Sequence, residues 1–197
     1  MRYLLFILSL PLLLIGCTQQ PSDITADLPV TPTLLSLFPP DGSTAYFQGE
    51  GNEFASYTVH TTYIDTQHIA QIEDNGGVTL LKVYRITEKA IELVLQEVVE
   101  ESPAIPTAQQ VASLPILETV LQSPLQAGQQ FHGWTIVSTT ETLTIGDTIS
   151  QDVLLVVRKE DTTTTRKYFA PHIGLLRTEY EMQEDAFVVT STLTKIE

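Results

Sequence analysis

The chain has 197 residues, 43% of them apolar, and carries 24 Asp and Glu against 10 Lys and Arg, a net charge of −14. This acidity excludes nucleic acid as a partner, because phosphate recognition needs clustered Lys and Arg, and it disfavours adsorption to anionic lipid through protein charge. One cysteine, Cys17, leaves no internal disulfide, so apolar burial in a domain of about 150 residues must hold the fold together.

Residues 1–16 have the layout of an export signal. Arg2 gives a short positive start, and Tyr3 to Ile15 are apolar apart from Ser9 and Pro11. Thirteen helical residues reach roughly 20 Å, short of the roughly 30 Å hydrocarbon core, and Pro11 would break the helix. A permanent membrane span is therefore not expected. The segment ends in Leu14-Ile15-Gly16-Cys17, which resembles the lipobox of bacterial lipoproteins. The resemblance implies cleavage before Cys17 and diacylglycerol on its sulfur, hence a chain anchored by lipid on the extracytoplasmic face of the cell membrane. Removing Arg2 with the signal takes the charge from −14 to −15. Residues 17–33 read as the lipidated cysteine and a flexible linker, with Pro21, Pro29 and Pro32 among Gln, Ser, Thr and Asp. Residues 34–197 form the single domain, entered through Leu34, Leu35, Leu37 and Phe38 and a turn at Pro39-Pro40-Asp41-Gly42.

Strand-like runs follow. Across 54–64, Tyr57, Val59, Thr61 and Tyr63 alternate with Ser56, Thr58, His60 and Thr62, the period-two pattern of a half-buried strand. A return strand over 68–73 leads to Asp74-Asn75-Gly76-Gly77, a hairpin signal because primed turns need positive φ. Strands over 78–86 and 90–99 come next. The region 100–130 holds Pro103, Pro106, Pro115 and Pro124 and reads as a crossover, with short helical turns at most, over 108–114 or 116–122.

Further strands are expected over 134–145, 149–159, 162–169, 175–182 and 187–196. Val153 to Val157 is continuously apolar, as in a strand covered on both faces. Pro40-Asp41-Gly42 before Tyr46-Phe47 is faintly echoed by Pro124 to Gly128 before Phe131 and Trp134. The expected fold is all-β: a long antiparallel meander of about ten strands, curled into a half-barrel or folded into a two-layer sandwich.

Two motifs in the second half carry a further resemblance. Ser123 to Phe131 fits P-L-x-x-G-x-x-aromatic, and Tyr168 to Arg177 fits Y-[FY]-A-x-x-[IV]-G-L-[IVL]-[KR]. Together they resemble secreted and lipoprotein β domains of Gram-positive bacteria, which implies a β domain and no particular reaction. Physically, Pro171 and Gly174 mark a sharp connection between strands.

No chemical constellation emerges. His60, His68, His132 and His172 form no HxH or HxxxH pair, so no metal site is expected. No G-x-S-x-G or S-x-x-K appears, and Ser43 and Ser150 lack a cue for a base. The carboxylate pairs Glu50/Glu53, Glu100/Glu101, Glu160/Asp161 and Glu184/Asp185 fall mostly in turns, where solvation is their role. Gly49-x-Gly51 lacks the third small residue of a dinucleotide fingerprint and reads as a loop or bulge. Catalytic residues and cofactors are thus expected to be absent, with Cys17 the one assigned site. The aromatic residues spread over the strands serve the core, or line a concave face for an apolar or glycan ligand. The expected function is a lipid-anchored binding protein that holds a hydrophobic or cell-envelope molecule in a curved sheet; the alternative is a structural lipoprotein that docks an envelope protein.

Overall fold

Alternating side chains and turn chemistry decide the architecture seen in the computed structural model, which describes residues 33–100, 103–184 and 187–197. The signal segment 1–16, Cys17 and the linker to Pro32 lie outside the described residues. Two meanders of six strands make up the body. The first is β1 (Thr44–Glu50), β2 (Tyr57–Tyr63), β3 (His68–Asp74), β4 (Thr79–Ile86), β5 (Ala90–Val99) and β6 (Glu118–Gln122). The second is β7 (Gln130–Phe131), β8 (Trp134–Ile145), β9 (Thr148–Lys159), β10 (Thr163–Ala170), β11 (Gly174–Met182) and β12 (Phe187–Ile196).

Among the described residues all twelve strands join one antiparallel sheet, in the order β6-β5-β4-β3-β2-β1-β12-β11-β10-β9-β8-β7. Its centre is the ladder between β1 and β12, running from Ala45↔Ile196 to Glu50↔Thr190. Twist curls the sheet until the edge strands β6 and β7 approach each other, giving a nearly closed barrel. Gly42 and Gly128, the glycines of the faint sequence echo, take φ of +74° and +90° and each precedes the first strand of a meander.

Local rules explain most boundaries. At the β3–β4 hairpin, Gly76 has φ +79° and Asn75 Oδ1 accepts from the amides of Gly77 and Val78. The run expected over 54–64 starts late. Asn52 Oδ1 caps a single 3-10 turn at Glu53–Ala55 by accepting from Phe54 N at 2.7 Å, so the strand begins at Tyr57. The segment expected to cross between strand groups does not: it joins β5 to its sheet neighbour β6, and within this crossover-like loop Thr107 and Gln110 form a capping box on α1 (Ala108–Val111). The other candidate for a helical turn, 116–122, is instead strand: β6 pairs with β5 through Ala90↔Gln122 and Ile91↔Leu121 and buries Thr119 and Leu121 on one face. Val153, Leu154 and Val156 are fully buried, while Leu155 and Val157 are half-buried.

The barrel has an inner and an outer core. Outside the first meander, Ile105, Val111 and Leu114 of the crossover cover Ala70, Leu81, Val83 and Val94. Arg85, paired with Glu92 at 2.8 Å, donates to the Leu114 carbonyl and holds this cover in place. Inside, one end is plugged by a 3-10 turn at Leu34–Leu37, capped by Thr33, with Leu34, Leu37 and Phe38 buried. The β10–β11 turn grips this plug. His172 N donates to Ser36 O, and Gly174 packs against it.

Gly174 has φ +85°, and a Cβ there would sit 3.0 Å from Pro39 Cδ and 3.2 Å from Leu37 O. Gly42 also has positive φ but faces open space. Gly174→Ala should therefore destabilise the protein by about 1–3 kcal/mol, and by more than Gly42→Ala, in urea unfolding followed by circular dichroism. Equal losses would show that the plug does not bear on Gly174.

Candidate functional site

Period two turns every second side chain of each strand inward, and the inward positions do not all close on one another. They leave a cavity of about 300 Å³ walled by both meanders. Phe47, Tyr57, Val59 and Leu175 make its apolar side; Gln71, Glu73, Lys82, Lys167, Thr178 and Ser191 make its polar side. Strand register explains the polar grouping, since Gln71 lies opposite Lys82, and Thr178 lies opposite both Lys167 and Ser191. A smaller recess of about 100 Å³, bounded by Leu37, Phe38, Ile91, Val120 and Phe169, adjoins it beneath the plug. Pro39, Gln71, Tyr84, Lys167 and Leu175 line both spaces.

Most polar groups here are already matched. Lys82 Nζ donates to Glu73 Oε2 at 2.6 Å, Gln71 Nε2 to Thr61 Oγ1 at 3.1 Å, and Ser191 Oγ to the Ala55 carbonyl at 2.7 Å. The aromatic wall is rigid: Phe47 stacks on Tyr57 with centroids 4.6 Å apart, and Phe38 tilts against Tyr84 at 5.4 Å. Lys167 differs. Among the described residues it has no carboxylate within ion-pair distance; its ammonium instead lies 4.9 Å from the centre of the Trp134 ring. Arg158 stands 4.7 Å over the same ring but has anionic company, with Nε 3.2 Å from Glu160, without hydrogen-bond alignment, and Nη1 4.0 Å from Glu118.

Burial pushes the Lys167 ammonium below the ordinary lysine range; Lys82 and Arg158 push the same way, while Glu118 and Glu73 oppose them. Burial, with Glu73 nearby, drives the phenols of Tyr57 and Tyr84 far above the ordinary tyrosine value. Both therefore remain protonated donors. The arrangement sets hydrogen-bond donors, one ion pair and an apolar wall around a single space.

Among the described residues the histidines, Ser43, Ser150 and the carboxylate pairs weighed in the sequence do not line this cavity, whereas the aromatics Phe47, Tyr57 and Tyr84 do. Cys17 is outside the described residues. His60 is exposed, 3.1 Å from Thr44 Oγ1; buried His68 meets the Asp65 carboxylate at 3.0 Å; His132 and His172 sit in turns. Hydrogen bonds from Gln67 N and from His68 outweigh burial and lower the Asp65 pKa. Ser43 Oγ donates to the Pro40 carbonyl. Glu50 and Glu53 are exposed. Among the described residues no group of three His, Cys, Asp or Glu is placed to hold a metal, and no helix is long and apolar enough to cross a membrane. Lys82 and Lys167 were not singled out in the sequence, yet a signal existed: each falls two residues before an aromatic, Tyr84 or Phe169, that points inward.

No family model matches the chain, and no curated protein does. Among solved structures, it is similar to a crystal structure from Bacteroides fragilis NCTC 9343, described as an exported protein with a YmcC-like fold. The two share 15% identity over 81% of this chain and 98% of that one, with a TM-score of 0.50. The likeness is one of fold.

A lone interior ammonium costs stability, so Lys167→Met should stabilise the protein by about 1 kcal/mol at pH 7. Between the lowered pKa of the folded state and the ordinary lysine value of 10.5, the unfolded chain holds more protons. The wild type should gain stability over that interval and the advantage of the variant should shrink. Urea titrations at pH 7 and pH 10 check both signs.

Proposed function

We propose that the chain is an exported lipoprotein, anchored through Cys17 at the extracytoplasmic face of the membrane, whose barrel holds a small envelope molecule with a hydrophobic part. The observation that supports this reading is the unfilled space among inward side chains, since protein interiors ordinarily leave few voids larger than a water molecule. Its volume of about 300 Å³ stands at the lower end of small-molecule sites and suits a single chain or a small ring system. Likeness to a protein described as exported agrees with the signal-like residues 1–16.

Native mass spectrometry of protein purified from its own host should detect a co-purified small molecule. Thr178→Phe, which fills the cavity from β11, should lose it while retaining the circular dichroism of the wild type. A wild-type protein with an empty lumen would refute the binding reading. Separately, Cys17→Ser should move the protein out of the membrane fraction. A variant still processed and acylated would refute the anchor.

A further inference from the structure

Three hydrogen-bond donors face the lumen without acceptors. Lys167 has no carboxylate within ion-pair distance, and the hydroxyls of Tyr57 and Tyr84 make no hydrogen bond to a described residue. Three other phenols find protein acceptors: Tyr63 Oη donates to the Pro39 carbonyl at 3.1 Å, Tyr46 to Glu197 at 3.0 Å and Tyr168 to Glu179 at 3.2 Å. No described side chain or carbonyl accepts from these three groups, so the contents of the lumen, water or ligand, must do so. Charge points the same way. Lys82 is neutralised by Glu73, which leaves the cavity lining with one uncompensated positive charge inside a strongly acidic protein.

We infer that the lumen binds the anionic head, a carboxylate or a phosphate monoester, of a single-chain amphiphile, with Lys167, Tyr57 and Tyr84 donating to its oxygens. The hydrocarbon part lies against Phe47, Val59 and Leu175. An acceptor-rich anion offers oxygens to these donors; a neutral apolar molecule offers none, and a cation would meet Lys167 with like charge. The lowered pKa of Lys167 adds a consequence: the bound anion favours the ammonium form, so affinity declines as pH rises toward the ordinary lysine range. This inference rests on the lumen being a ligand site, as proposed above.

The test titrates the full mature chain, delipidated by extraction, with octanoate, octyl phosphate and octanol, read by calorimetry and by the emission of Trp134. That residue is the single tryptophan of the chain and sits beside Lys167. Octanoate or octyl phosphate should bind and perturb Trp134, and whichever binds more tightly identifies the head. Lys167→Met should weaken that binding at least tenfold and Tyr84→Phe severalfold, with octanol affinity unchanged in both. Both variants keep a folded barrel, checked by circular dichroism, because each retains the volume of its side chain. Octanoate and octyl phosphate binding Lys167→Met as tightly as the wild type would overturn the assignment. Octanol binding without either anion would overturn it too while leaving the lumen reading intact. Failure of all three to bind would overturn both.

Discussion

Closure of one antiparallel sheet on itself is the constraint from which the other features follow. Once β1 pairs with β12 and the edges β6 and β7 draw together, each strand has one face that must look at the opposite wall. Every inward residue then competes for a limited interior. Lys82, Glu73 and Lys167 occupy positions that a stability-driven core would give to Leu or Val. Their stems pack and their heads remain in unfilled space, so the polar lumen arises from the same alternation that builds the core.

The interior is also divided by sequence distance. Ile91, Leu121, Phe131, Trp134 and Phe169 belong to one cluster around the plug, and Phe47, Val59, Leu176 and Leu193 to another nearer the seam. The cavity is walled by Phe47 and Val59 of the second cluster and by Tyr84 and Leu175, which pack against the first. Both meanders therefore contribute to the site, and neither could form it alone.

Much of this was legible in the chain. Period-two runs and turn residues located most strands within a residue or two, because half-buried strands and Gly-Asn turns write their own signatures. The choice between half-barrel and sandwich was not legible, since no local pattern states that β1 will pair with a strand about 150 residues later. The β6 segment was ambiguous for a similar reason. Five residues beside prolines have no helical or strand period of their own, and pairing with β5 decides the matter. The site stayed hidden because β4 is apolar on both faces: Leu81 and Val83 look equal to Tyr84 until the crossover is seen to cover the outer side. A lysine in such a strand reads as solvent-facing, and only its phase with Tyr84 or Phe169 argues otherwise.

The seam has a kinetic side as well. Its two strands come from opposite ends of the domain, and the backbones of Thr44 and Glu197 bond to each other across it. Such high contact order makes folding slow, and the barrel cannot shut before β12 is available. Until β12 is available only the hairpins within each meander can pair, so the lumen acquires its far wall last of all.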